Sequence, residues 1–348
     1  MSIEFKKISL WQTAFLGDAV LTLPLINALE ERFPGAEIHF FVRAGVESLF
    51  AAQKNLAGVY GFAKRGDQKS LKSAIEYGRS LGRKGFDLFI SAHTSMRSAL
   101  VARSTGVPVR IGYDAPWYNR FAYTHTVQRR FNERAEIERL MALGVPLGIG
   151  LPAPEPELDL PEESLQKASD FYSSLEQVPV LGIHPGSVWE TKRWPAEYFS
   201  KLIDLASAEG VQVIAFGGPG EEEIVSRIIS GAHSGDKVLN LAGTLNLPDL
   251  AAYIRMLDCY VSNDSGPMHI AWVQNVPLVA IFGPTVEKLG FYPRGNNSTV
   301  LEERLACRPC GLHGGKVCPE KHHNCMRLIT PAKVWQTVAE KLSAGSPF

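Results

Sequence analysis

The sequence predicts an α/β protein of two Rossmann-like units, each a doubly wound parallel sheet covered by helices. Short apolar runs rich in β-branched and aromatic residues recur along the chain, and they are continuous rather than alternating, as strands buried on both faces require. Helical patterns separate these runs, and one proline-rich stretch divides the chain. The first strand is Ile8 to Trp11. Ala19 to Phe33 then places Leu21, Leu25, Leu29 and Phe33 on one helical face, and Pro34-Gly35 stops it. Strands follow at Ile38 to Val42 and at Leu88 to Ile90. Leu151 to Pro161 holds four prolines, which suits a stiff, extended linker, and we place the two domains at 1–155 and 156–348. The second unit opens with a strand at Val180 to His184. Ala196 to Gly210 repeats the helical pattern through Phe199, Leu202, Ile203 and Leu205. Strands at Val211 to Phe216, Cys259 to Val261 and Leu278 to Phe282 follow, and a terminal helix at about Pro331 to Leu342 suits either unit.

Composition narrows the function classes. The 348 residues carry 36 Lys+Arg against 36 Asp+Glu, and this neutrality argues against a dedicated nucleic-acid binder. The balance hides a division: residues 1–150 hold 20 basic and 13 acidic residues, a surplus of +7, and the remainder carries −7. The first half is therefore the candidate to meet an anionic partner. No run approaches the roughly 18 apolar residues of a membrane span. Lys6-Lys7 ahead of an apolar stretch faintly mimics a secretory leader, but Asp18 interrupts it. Five cysteines, an odd number in so long a chain, point to a reducing compartment, and we expect a cytoplasmic protein.

Four segments have the composition of ligand loops. After the first strand, Gly17 permits a turn with positive φ and Asp18 stands at a helix start, where it can serve as a cap or as a general base. After the strand ending at His184, Gly186 lets backbone approach a ligand, Ser187 offers a hydroxyl, and Lys192 and Arg193 can neutralise phosphate. Phe216 to Glu223 carries three glutamates in a first helical turn, which would repel a pyrophosphate, so a carboxylate holding ribose hydroxyls fits better. Asp264-Ser265-Gly266 can open a helix whose free amides cradle phosphate oxygens, with His269 about one turn further on. The glycine fingerprint of a dinucleotide-binding dehydrogenase is missing.

Taken together and in order, G-D-A-V-L-T-L-P, H-P-G-S-x-x-x-T-K-R-W-P, F-G-G-P-G-E-E-E, N-L-A-G-T-L-N-L-P-D-L and N-D-S-G-P-M-H followed by P-L-V-A-I-F-G-P-T resemble the glycosyltransferase family 9 heptosyltransferases. That family transfers heptose from ADP-heptose to the inner core of lipopolysaccharide. The resemblance covers most of the chain and implies a GT-B arrangement, two Rossmann-like domains facing across a cleft, with acceptor on the N-terminal domain and donor mostly on the C-terminal one. It implies that Asp18, beside Gly17, is the base for an inverting attack. It implies further that Lys192, Ser187 and the amides of Ser265 and Gly266 stabilise the leaving diphosphate, with an ADP-sugar as co-substrate and no cofactor required. Glu221 would hold ribose, Thr244 and Leu245 would border adenine, and Asp264 with His269 would contact the donor sugar or phosphates. Arg97 matches a basic acceptor-side position. A lipid-linked acceptor would also bring the protein to the cytoplasmic face of the inner membrane.

Two departures stand out. Some family members have a basic residue early in the first loop, where this chain has Trp11-Gln12-Thr13. The segment 307–325 holds Cys307, Cys310, Cys318 and Cys325, whose first pair has zinc-knuckle spacing while the second does not repeat it. A structural metal, a disulfide staple and unligated thiols all stay open there, and no catalytic metal is expected. Two other functions also stay open: a nucleotide-sugar epimerase of the same architecture, which needs no acceptor, and a non-catalytic nucleotide-sugar or metal-binding protein, which does not need Asp18.

Overall fold

Two six-stranded parallel sheets organise the chain, one in residues 1–160 and one in 161–348. The computed structural model describes residues 4–345 apart from 65, 67 and 68. The first unit contains β1 (Lys7–Gln12), α1 (Leu16–Val20), α2 (Leu23–Arg32), β2 (Glu37–Arg43), β3 (Gly58–Phe62), α3 (Leu71–Gly82), β4 (Leu88–Ser91), α4 (Met96–Thr105), β5 (Val109–Tyr113), α5 (Asn119–Ala122), β6 (His125–Val127) and α6 (Glu136–Ala142). Its strand order is β3-β2-β1-β4-β5-β6. The second contains α7 (Glu162–Ser173), β7 (Val180–His184), α8 (Ala196–Ala208), β8 (Gln212–Ala215), α9 (Glu222–Ser230), β9 (Leu239–Asn240), α10 (Leu247–Arg255), β10 (Cys259–Asn263), α11 (Gly266–Val273), β11 (Leu278–Phe282), β12 (Ser298–Glu302), α12 (Asn324–Arg327) and α13 (Pro331–Gly345). Its order, β12-β11-β10-β7-β8-β9, is the same topology counted from its own first strand.

The central strands are buried along their length because helices cover both faces. In the first unit Trp11 packs among Phe41, Phe62 and Phe89, and its indole N–H donates to Ser98 Oγ at 3.0 Å. In the second, Leu181, Ile183, Val261 and Ile281 meet Phe199 and Leu202 of α8 and Val334 and Val338 of α13. The terminal helix therefore belongs to the second unit. No helix among the described residues is long and apolar enough to cross a membrane.

The expected helix from Ala19 to Phe33 is in fact two. Pro24 has no N–H for the carbonyl of Val20 and its ring would strike that carbonyl, so α1 ends at Val20 and α2 restarts with Pro24 in its first turn. The proline-rich stretch is free of helix and strand up to Pro161. Its latter part is tied to the first unit, where Gln53 Nε2 donates to Glu157 O at 3.2 Å and Asp159 N–H donates to Gln53 Oε1 at 3.1 Å.

Candidate active site

In an open α/β sheet, ligands bind beyond the carboxyl ends of the strands where the strand order reverses. That point lies between β1 and β4 in the first unit and between β7 and β10 in the second. The loops after these four strands carry Asp18, Arg97, Ser187, Lys192, Asp264, Ser265, Gly266 and His269.

Beyond β1, the chain turns into α1 with Phe15, not Asp18, as its N-cap. Asp18 sits at the third helical position, and its Oδ2 accepts the Phe15 N–H at 3.1 Å. Gly17 is buried inside the helix and is not among the glycines with positive φ, which corrects the turn expected of it. Burial raises the Asp18 carboxyl first, and the nearby Glu136 carboxylate raises it further. The Phe15 N–H and Arg129 oppose them, leaving the pKa at about 6. Glu136 is itself buried at the start of α6, where it accepts from Arg129 Nη2 at 2.9 and 3.0 Å and from Arg139 Nη1 at 2.7 Å.

Beyond β4, His93 Nδ1 lies 2.9 Å from Ser98 Oγ and 3.3 Å from Thr13 Oγ1, joining the two loops. Burial, with Lys64, Arg129 and Arg97 adding to it, pushes His93 down to about 3, so the ring is neutral among cations. Arg97, in the first turn of α4, donates from Nη2 to Lys69 O at 2.7 Å, while its buried Nε has no protein partner. This edge of the first sheet thus combines a carboxyl that titrates near neutrality with several positive charges.

At the second switch point, Lys192 Nζ lies 2.5 Å from Asp264 Oδ2, and both side chains are buried. Thr285 donates its hydroxyl to the same Asp264 oxygen at 2.6 Å. The N-cap of α11 is Ser265, followed by Gly266 and Pro267, so Asp264 is not the cap but the counter-ion of Lys192. Asn263 binds the two loops together, accepting from Trp194 N–H at 3.0 Å and donating to Pro185 O at 2.8 Å. His269 is buried on α11; desolvation, helped by Lys192 and opposed by Asp264, takes it to about 4, and its Nδ1 has no protein partner.

Glu221, the N-cap of α9, accepts from Gly218 N–H at 2.8 Å and faces His184 Nε2 at 3.1 Å. Burial pulls its carboxyl upward, but His184, the Gly218 N–H and Arg193 together hold it below the usual range. Gly186 makes room for this pair, since a Cβ there would stand 2.1 Å from the Glu221 carboxylate. Ser187 is buried, and its carbonyl accepts from Arg193 Nε at 2.9 Å. Thr244 follows the end of β9, donates its hydroxyl to Leu241 O at 2.9 Å and precedes the half-buried Leu245.

The cysteine segment is laced to the residue beside Lys192. Thr191 N–H and Oγ1 each donate to Gly315 O at 3.0 Å, Gly315 N–H donates back to Thr191 Oγ1 at 2.8 Å, and His323 Nε2 lies 2.8 Å from Thr191 O. All five cysteines are free. Burial, then Cys310, with Cys318 and Cys307 adding, pushes the Cys325 thiol up to about 11, so the four thiols lie within electrostatic reach of one another. Among the described residues no group of three or more His, Cys, Asp or Glu side chains is arranged to hold a metal ion.

Arg129 with Glu136, the His184–Glu221 pair, Asn263 and Thr285 were not singled out from sequence. Asn263 and Thr285 stand within recognisable motifs, whereas nothing in the local sequence marks Arg129 or Glu136.

The sequence profile of glycosyltransferase family 9 (heptosyltransferase) matches residues 74–322. Lipooligosaccharide heptosyltransferase 2 of Campylobacter jejuni is 27% identical over 340 residues, spanning 97% of this chain and 99% of that protein. A family 9 glycosyl transferase from Veillonella parvula superposes with a TM-score of 0.87 at 24% identity, covering 99% of both chains. The E. coli ADP-heptose lps heptosyltransferase II superposes at 0.81 and 24% identity, covering 97% of this chain and 99% of that one. The shared fold is of GT-B type.

Proposed function

The chain belongs to glycosyltransferase family 9, the heptosyltransferases, and from that membership we propose that it moves heptose from ADP-heptose to an inner-core saccharide of lipopolysaccharide with inversion. The similarity to heptosyltransferases that act on lipooligosaccharide or lipopolysaccharide supports this choice of donor and acceptor. In this reading, residues 1–155 bind the acceptor and 156–348 the donor. The observation that carries the chemistry is Asp18, a carboxyl at the switch point with a pKa of about 6, poised to accept a proton near neutral pH. An acceptor hydroxyl attacks the anomeric carbon and its proton passes to Asp18. The bond from that carbon to the diphosphate oxygen breaks, and ADP leaves with the electron pair.

On the donor side, Lys192, Ser187 and the amides of Ser265 and Gly266 take up the charge growing on the diphosphate, with no cofactor called for. Lys192 is paired with Asp264 in this structure, so donor phosphate competes with that carboxylate for it. Asp264 and the neutral His269 then contact the donor sugar or phosphates, Glu221 the ribose, and Thr244 with Leu245 the adenine. Arg97 pairs with a phosphate or carboxylate of the acceptor. The reaction is assigned to the cytoplasm, with peripheral contact at the inner membrane.

Asp18→Asn should leave ADP-heptose binding intact and lower transfer about 10²–10⁴-fold, the usual contribution of a general base. Normal turnover by that variant would refute the base assignment. Failure of the wild-type protein with every heptose donor would refute the substrate.

A further inference from the structure

Two large aromatic side chains stand in water at the carboxyl end of β5. Trp117 and Phe121 are each 72% exposed, while the next most exposed aromatic among the described apolar side chains, Phe15, is at 38%. Their rings lie 6.2 Å apart and nearly perpendicular, and Trp117 also meets Tyr118 edge-on at 6.0 Å. They are held out by a firm base rather than by a loose loop. Asn119 is buried and donates from Nδ2 to Tyr113 O and Ala115 O, both at 2.9 Å, while Ala122 and Tyr123 sit in the core and Arg110 Nε donates to Ala122 O at 2.8 Å.

Two exposed arginines accompany this pair. Arg120 is exposed on the same helical turn, and Arg103 is exposed near the end of α4, against which α5 packs. Arg103 is close enough to Arg110 to bear on it electrostatically. The half of the chain that contains them carries the +7 surplus. Scattered exposed apolar residues are ordinary, but two neighbouring exposed aromatics with an arginine on the same helical turn are not. Tryptophan prefers the headgroup level of a bilayer, apolar rings insert below it, and arginines beside them attract anionic lipids.

We propose that Trp117 and Phe121, with Arg103 and Arg120, form a wedge that docks the first unit on an anionic lipid surface. The position suits an acceptor anchored in that surface, and this part rests on the lipid-linked reading above. Every strand of the sheet is parallel, so the loop after β5 shares its edge with the Asp18 loop after β1 and the Arg97 helix after β4. β1 and β5 are two strands apart, roughly 10 Å. A saccharide reaching Asp18 then has its lipid end on the side where the wedge enters.

The test is sedimentation of the full-length protein, without donor or acceptor, with vesicles of phosphatidylglycerol and phosphatidylethanolamine or of phosphatidylcholine alone. Expected are binding to the anionic vesicles, a tenfold or greater loss in the Trp117→Ala/Phe121→Ala variant, and quenching of wild-type tryptophan fluorescence by brominated lipid that Trp117→Phe removes. Turnover of a deacylated, water-soluble acceptor should be unchanged in the double variant. Equal vesicle binding by wild type and double variant would overturn the wedge. So would a wild-type dimer that the double variant converts to monomer, or a raised KM for the soluble acceptor, since the rings would then serve a second copy or a sugar. Because binding is read without either substrate, a wrong acceptor shows up separately, as absent transfer with vesicle binding retained.

Discussion

Asp18 stands in the first turn of α1, in surroundings that keep it from ionising at ordinary carboxylate pH. Burial and Glu136 raise it, and the Phe15 N–H and Arg129 limit the rise to about 6. Only the ionised form can take a proton, so kcat/KM should climb with pH through about 6 and level off above it. Glu136→Gln removes a negative neighbour and frees Arg129, so the acid limb should move to lower pH. A limb that stayed in place would disconnect Glu136 from the base. Linkage has the matching sign. A carboxyl with a raised folded-state pKa binds its proton more tightly folded than unfolded, so it costs stability once pH passes that window. Asp18→Asn should therefore melt no lower than wild type at pH 7.5 even as it loses activity. Single residues at strand ends, such as Asp18, Lys192 and Asp264, were legible because a loop after an apolar run can be placed from sequence. Most of the pairings made across the fold were not. His184 finds Glu221 across 37 positions and Asn263 finds Pro185 across 78, and no local pattern records such pairings.

At the level of elements, the central strands were read within a residue or two because continuous apolar runs have few other homes. The strands missed were β3, β5, β6, β9 and β12, which are mostly short or half-exposed and include Gly58, Gly61 and Gly112. Another unread device joins α3 to α4. A Cβ on Gly82 would lie 2.1 Å from Thr105 O, and one on Gly78 would lie 2.5 Å from Val101 O, so the two glycines let the helices touch through backbone. Alanine in a helix is ordinarily better than glycine by about 1 kcal/mol. Here the clash is with a carbonyl that cannot rotate away, and overpacking of about 1–3 kcal/mol outweighs the propensity. Gly82→Ala should lower the denaturant midpoint, while Gly150→Ala, with open space around its Cβ, should leave it near wild type.

For the whole molecule, zero net charge is a cancellation between halves of +7 and −7, and the two substrates should feel it differently. Raising ionic strength from about 0.1 M to 1 M shortens the Debye length from about 10 to 3 Å. The KM for an anionic acceptor should then rise several-fold, and that for the donor, held by Lys192 and local amides, should change less. Equal responses would detach the charge division from acceptor binding. The topology also orders events in time. β1 is made before the other strands of its sheet, yet it belongs in the middle of it, with Ile8 in register with both Ile38 and Leu88. A ribosome must deliver β4 before the Asp18 loop has a neighbour on each side, and α6 before Glu136 reaches it. The nascent chain therefore carries its earliest-made functional residue through some 120 residues of synthesis before that residue has its final surroundings. Until β4 arrives, β1 is a strand with an unpaired edge, the state in which a growing chain most needs shielding from its neighbours.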